Sequence, residues 1–343
     1  MPDDIAARID DWLAHNTDPG ADPFPGMHEA GLFVPAPSYT AIAHMKAALV
    51  ARTGLLGVGG AWGGRQMVGR WFIGGFGTAA QQAAWLGRAA SVAISEPGVG
   101  AHPKHLRTRA EAVDGGFRIV GEKAWVSNGP SAAVIVVLAI TEETNGRKRY
   151  SAFLVPRETA GLSMREMPGF HALRPSQHCA LVLDGCVVAR DALLGEAGTA
   201  YEMMAMPFRD VEDAVGTFGA LGAFHFLLPR LTAGEGEPAL SRGGLVALCA
   251  VYAAAAETLV AALDAGRLAD NAAVLAGLRV LAAEMLHRIR SHVETLGQSN
   301  DIDIETMLSD IDATLSIARG PRLARLARLG AHENVITDPP RHA

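Results

Sequence analysis

Cysteine is scarce in this chain, and what there is lacks the spacing of reactive or metal-binding thiols. Cys179, Cys186 and Cys249 are three in number, odd, and without close pairing. This argues against a disulfide-built scaffold and a structural zinc site, and fits a reduced, cytoplasmic setting. Charge is also thin, at 19% of residues against 49% apolar, so the 343 residues can bury more than one core and do not have a disordered composition. The net charge of -6 provides no general attraction to nucleic acid or an anionic membrane. Long apolar runs are missing as well. The longest, Leu245 to Ala256, is too short to cross a bilayer, and Met1-Pro2-Asp3-Asp4 has no signal-peptide pattern. The glycine-rich piece from Gly57 to Gly77 lacks the Lys-Ser or Lys-Thr pair of a phosphate loop, which leaves close helix packing or a mobile loop. A soluble protein with neither nucleic acid nor membrane as partner is the expectation.

What is present falls into three parts and a tail: 1–89, 90–195, 196–330 and 331–343. In the first part Asp3 or Asp4 can cap a helix carrying Ile5, Ile9, Trp12 and Leu13 on one face. Prolines 19, 23, 25, 35 and 37 punctuate a connection. Ser38 can then cap a helix through Ile42, Met45 and Leu49, and Thr78 another over Ala79 to Trp85. From Ala90 the period becomes that of strands. Asp114-Gly115-Gly116 signals a hairpin, Ala133 to Ile140 a fully buried strand, and Tyr150–Pro156 and Cys179–Val188 two more. Cys179 and Cys186 read as core thiols. After Gly195 four helical stretches, Tyr201–Leu228, Leu240–Ala265, Asn271–Leu296 and Glu305–Leu329, imply an antiparallel bundle. Arg319, Arg322, Arg325 and Arg328 read as a solvated helix terminus. The fold class is α+β: an N-terminal helical domain, a central antiparallel β domain and a C-terminal four-helix bundle. Leu240 to Ala265 is apolar all round, which predicts assembly through the bundle.

Two stretches organise the middle part. Ile94-Ser95-Glu96-Pro97-Gly98-Val99-Gly100-Ala101 reads as a strand end running into a turn that bares its backbone. Lys123-Ala124-Trp125-Val126-Ser127-Asn128-Gly129 ends a second strand with an indole, a hydroxyl and an amide. One flat apolar surface among small polar groups suits a planar heterocycle. His102 and His105 make a loop pair with no third ligand nearby, so no metal site is read from them.

Both stretches resemble the acyl-CoA dehydrogenase signatures Thr-Glu-Pro-Gly-x-Gly-Ser and Lys-x-Trp-Ile-Thr-Asn-Gly. Serine stands twice for threonine here, and Ala101 for serine. Ala152-Phe153-Leu154-Val155-Pro156, Gly161-Leu162, Leu193-Leu194-Gly195 and Gly77-Thr78 with Gln81 or Gln82 extend the similarity. The resemblance implies FAD and an acyl-CoA thioester, with a carboxylate taking the α-proton while the β-hydride passes to the flavin. It places Ile94, Ser95, Trp125, Val126 and Ser127 at the flavin, Gly100 and Ala101 at the CoA, and gives Glu96 a structural role. It also implies a homo-oligomer, or a hetero-oligomer with a related subunit.

The C-terminal part departs from the family pattern. No Tyr-Glu-Gly segment carries the usual base, and Glu333 has a different context. The alternative base position, on the first bundle helix, falls on Arg209 when Gly216 and Gly219 set the register, leaving Asp210 as the nearest carboxylate. Glu212 and Asp213 follow, and all three acids read as surface residues. The Arg-x-x-x-Phe-Gly segment that holds the FAD pyrophosphate is missing from Leu228 to Gly244, as is the Gly-Gly loop after the third bundle helix. Three functions stay open: an FAD-dependent dehydrogenase, a non-catalytic subunit or pseudoenzyme paired with a complete homologue, and a flavin monooxygenase on the same fold.

Overall fold

The computed structural model describes residues 3–15, 24–167 and 172–331. Glu333 and the caps expected from Asp3 or Asp4 lie outside the described residues or side chains. Helices α1 (Asp3–His15), α2 (Phe24–Glu29), α3 (Tyr39–Thr53), α4 (Leu56–Val68) and α5 (Ala79–Trp85) come first. The Ser38 hydroxyl accepts from the Ala41 N–H and starts α3. Thr78 and Gln81 form a reciprocal capping box at α5. The amide of Gln81 also donates to the carbonyls of Asp191 and Leu193, tying α5 to the strands. The glycine-rich piece is helical: α4 continues into a π-helical turn, Gly69–Gly74. At its start, a Cβ on Gly57 would fall 2.0 Å from the Leu173 carbonyl oxygen, so only glycine lets the helix press on that loop.

Eight strands follow: β1 (Ala90–Ala93), β2 (Arg109–Val113), β3 (Gly116–Ser127), β4 (Val134–Thr144), β5 (Arg147–Pro156), β6 (Leu162–Glu166), β7 (His178–Ala189) and β8 (Leu193–Leu194). They form one sheet in the order β6-β7-β3-β2-β4-β5-β8, with β1 beside β4. The central domain is antiparallel in most of its pairings, as expected, with two parallel exceptions: β1 runs parallel to β4, and β2 meets β4 in parallel at Arg109. The reason is connectivity, since β1 and β4 enter the sheet from the same end, joined through the hairpin of β2 and β3. The Asp114-Gly115-Gly116 turn is where the sequence puts it, with Gly115 at φ 76°. Strand β4 is buried on both faces. Val134, Val136, Leu138 and Ile140 pack on the helices, while Ile135, Val137 and Ala139 pack with Phe153, Leu181 and Leu183 inside the sheet. Two buried faces produce the unbroken apolar run. Cys179 and Cys186 are buried in that inner core.

The C-terminal helices are α6 (Met206–Leu227), preceded by a π-helical turn Tyr201–Ala205, then α7 (Glu237–Asp264), α8 (Ala272–Thr295), α9 (Ile302–Ser316) and α10 (Arg319–Ala331). The fourth expected helix is therefore two, broken where Ala318 adopts φ 52° just before Gly320-Pro321. Helix α10 buries none of its residues. It attaches through ion pairs instead: Arg322 binds Asp213 at 2.5 Å, and Arg325 binds Asp210. Arg319 and Arg328 are exposed, as expected of a solvated arginine terminus, while Arg322 and Arg325 depart from it because two carboxylates of α6 face them. Helix α7 extends well past the apolar run and is long and apolar enough, by length and composition, to cross a membrane. One face, with Leu245, Cys249, Tyr252, Leu259 and Leu263, is buried, while Val246 and Val251 are exposed.

Candidate active site

The two sequence motifs are clamped to each other by one buried ion pair. Glu96 (5% exposed) accepts hydrogen bonds from the backbone N–H of Arg107 (2.7 Å) and Thr108 (2.9 Å) and from Lys123 Nζ (2.9 Å). Lys123, wholly buried, donates its second bond to the Ile94 carbonyl at 3.1 Å. Burial pushes the Lys123 ammonium down to about 8. Burial alone would raise Glu96, but Lys123 and the Thr108 hydrogen bonds outweigh it and hold the carboxyl below its usual range. Both charges are committed to architecture, so Glu96 is structural. The Ala124 N–H donates to the Ser95 carbonyl at 2.9 Å and completes the clamp.

This clamp sets the geometry of the strand ends. The register of β3 on β7 shifts between Lys123 and Val126, and Trp125 adopts φ 59° within that bulge. A left-handed backbone on so bulky a residue costs about 1–3 kcal/mol and is held only by its surroundings. Its effect is to turn the indole outward, 51% exposed. Ser127 is also exposed, with its Oγ 3.0 Å from His178 Nδ1, while Ile94 and Ser95 are half-buried. Val126 points the other way, into the sheet core, so only its backbone is available to a ligand. Gly98 (φ 73°) and Gly100 (φ 60°) have open space where a Cβ would stand, which leaves that loop's backbone bare. Ala101 is half-buried, and its carbonyl accepts from the Tyr201 hydroxyl at 3.3 Å.

Helix α4 lies between these strand ends and α6. Asn128, at φ 59°, donates from Nδ2 to the Ala61 carbonyl and fixes the end of β3 on α4. Helix α6 in turn is buried along most of its length, with a less buried stripe at Arg209, Glu212, Gly216 and Ala220. Glu212 is itself exposed, although protein groups crowd its carboxyl. Burial pushes its carboxyl up to about 7, helped by the Asp213 charge and opposed by Lys46, Arg209 and Arg322.

The three acids of α6 thus have three fates. Asp210 is paired with Arg325. Asp213 is 7% exposed and paired with Arg322 and Arg279, so its expected surface position is corrected. Glu212 has no ion pair among the described residues. The glycines of α6 differ in their packing. A Cβ on Gly222 would fall 2.5 Å from the Ala47 carbonyl oxygen, and one on Gly219 3.0 Å from Lys46 Cε, whereas Gly216 meets nothing. The glycines required by packing are therefore Gly219 and Gly222, three residues on from the pair Gly216 and Gly219 that set the expected register.

A cleft of about 1000 Å³ lies elsewhere, lined by Arg65, Arg70, Arg88 and Arg157 and by none of the expected site residues. His102 and His105 are exposed, their rings 4.7 Å apart.

Comparison with known proteins bears on the sequence of the middle part and on the fold. Residues 91–186 match the family described as acyl-CoA dehydrogenase, middle domain. Mitochondrial isovaleryl-CoA dehydrogenase of Oryza sativa subsp. japonica is 36% identical over 132 residues, 38% of this chain and 32% of that protein. The mitochondrial short-chain specific acyl-CoA dehydrogenase of Sus scrofa is 32% identical over 134 residues, 37% of this chain and 32% of that protein. The matches span about a third of the length of these curated relatives. In fold, the butyryl-CoA dehydrogenase of Megasphaera elsdenii superposes with a TM-score of 0.83, at 17% identity, over 96% of this chain and 98% of that one. A probable acyl-CoA dehydrogenase from Mycobacterium abscessus gives 0.78, at 18% identity, over 95% and 94%. The middle part of the chain is thus similar in sequence to the acyl-CoA dehydrogenase middle domain, and the whole has the fold of these acyl-CoA dehydrogenases.

Proposed function

We propose that the protein is an FAD-dependent dehydrogenase of a CoA thioester, with Glu212 as the base that takes the α-proton. The observation that carries this reading is Glu212 itself: a solvent-accessible carboxyl on α6 with no ion pair among the described residues, beside the helix that carries Lys46, its pKa pushed up to about 7. A general base works best when its pKa lies near the operating pH. The strand ends, tied to α4 through Asn128 and Ala61, suit a flavin ring, with the outward indole of Trp125 as a flat surface and the Ser95 and Ser127 hydroxyls at its edge. When bound, FAD supplies the acceptor for the hydride leaving the β-carbon. The chain's own part is to hold the thioester along the bare backbone of Gly98 to Ala101 and to present the Glu212 carboxylate to the α-carbon.

One observation favours a second reading, a non-catalytic subunit paired with a complete homologue. The guanidinium groups between Leu228 and Gly244 are committed to the chain's own carbonyls: Arg230 to Phe226, and Arg242 to Leu228 and Leu231. That segment is thus poorly suited to hold a pyrophosphate. Anaerobic bleaching of the flavin absorbance by a panel of acyl-CoAs separates the two. Bleaching by wild type that is lost in Glu212→Gln, with flavin retained, supports the dehydrogenase. Protein purified without flavin and unable to take it up supports the subunit. Equal bleaching by both proteins would remove Glu212 from the role.

A further inference from the structure

Lys46 is a buried cation that the protein does not neutralise. It stands on the inner face of α3 among Ile42, Met45, Leu49 and Val50 and is 9% exposed. Its side chain runs between α4 and α6 over a floor of glycines. A Cβ on Gly59 would lie 3.2 Å from Lys46 Cγ, on Gly63 3.3 Å from Cδ, and on Gly219 3.0 Å from Cε and 3.7 Å from Nζ. These glycines clear the path that the stem occupies. At the end of the path the ammonium has neither a hydrogen bond nor an ion pair among the described residues. Glu212 attracts it from beyond ion-pair distance. A buried, unpaired ammonium is costly, and a methionine of similar shape would pack there without that penalty.

The helix face between Lys46 and Glu212 carries no side chain at Gly216. Gly216 lies between Gly219 and Glu212 on α6, and a Cβ added to it would meet nothing. Seven residues of helix separate Glu212 from Gly219, roughly 10 Å of rise. Subtracting contacts of about 3 Å at each end leaves roughly 4 Å between an α-carbon at Glu212 and an anion at Lys46. That is about the reach of the distal carboxylate in a four- or five-carbon diacyl chain.

We propose that Lys46 is a specificity residue that binds a carboxylate at the far end of the acyl chain, so that the substrate is the CoA thioester of a short dicarboxylic acid. This rests on the reading of Glu212 as the base beside the α-carbon. Burial has brought the Lys46 ammonium down to about 8, so it stays mostly charged at neutral pH, and an arriving carboxylate would favour that charge. An uncharged chain of the same length would leave the ammonium desolvated and unpaired.

The test is binding, measured anaerobically by calorimetry on the purified full chain at pH 7, with glutaryl-CoA and pentanoyl-CoA. Wild type should bind glutaryl-CoA at least tenfold more tightly. Lys46→Met should lose that preference while melting no lower than wild type, and Lys46→Arg should keep most of it. Equal affinities in wild type, or a preference that survives in Lys46→Met, overturn the assignment of Lys46 and leave Glu212 standing. Failure of wild type to bind either thioester overturns the thioester reading and this one with it. Should Lys46→Met not fold, the wild-type comparison and Lys46→Arg still decide: preference in both supports the proposal, and its absence from wild type rejects it.

Discussion

At the scale of single residues, the candidate site consists of groups held in states they would not choose alone. Glu212 carries a carboxyl raised to about 7, and its pH behaviour has a definite sign. As a base it must be ionised, so the rate of flavin bleaching should rise with pH through a midpoint near 7 and vanish in Glu212→Gln. Its stability effect runs the other way. The unfolded chain releases this proton near 4.5 and the folded one near 7. Folding stability therefore falls as pH climbs through that window and levels off above it. Melting curves of Glu212→Gln should lack that fall and gain on wild type between pH 5 and 7. Trp125 presents its indole from a left-handed backbone. Trp125→Ala should lower flavin occupancy, read from the visible spectrum, while His102→Ala should leave it unchanged. Equal loss in both would place the ring elsewhere.

At the scale of elements, charges buried between segments do the joining. The Glu96–Lys123 pair links stretches 27 residues apart and is almost wholly buried. Removing one partner strands the other in a dry interior, so Lys123→Met should destabilise the protein by about 3–5 kcal/mol in urea titrations. Glu96 has a depressed pKa, so its contribution is present above about 4.5 and is lost as pH falls through the lower folded value. Helix α10 gives a second case. It buries no residue of its own and rests on Asp210 and Asp213 of α6. Asp213→Asn leaves Arg279 and Arg322 facing one another, with Arg279 already pushed down to about 10 by burial and by Arg322. We expect a loss of about 1–3 kcal/mol. Trypsin should then release α10 several-fold faster, measured by mass spectrometry of the cleaved chain; an unchanged rate would mean that the ion pairs do not hold it.

At the scale of the whole molecule, the order of helices, sheet and helices was legible because it is written in period and in turn chemistry. Ser38, Thr78 and Asp114-Gly115-Gly116 each act within a few residues of their position, so local chemistry announces them. The strand ends of the candidate site were legible through two motifs that spell out their own backbone needs. What stayed hidden depends on partners distant in sequence. Asp213 looks like a surface acid until Arg322, 109 residues later, folds back on it. Glu212 and Lys46 gain meaning only when α3, α4 and α6 meet, and no periodicity reports that meeting. The parallel entry of β1 was likewise hidden, since a four-residue strand carries no sign of its direction. The double burial of β4 has a consequence in time. An amide proton at Val136, Val137 or Leu138 can reach solvent only when both the helical layer and the inner sheet come apart, because each face of the strand belongs to a different core. These amides should therefore be the slowest to take up deuterium, exchanging only through global unfolding. Their exchange rate becomes a clock for the rarest event in the molecule, the simultaneous loss of both cores.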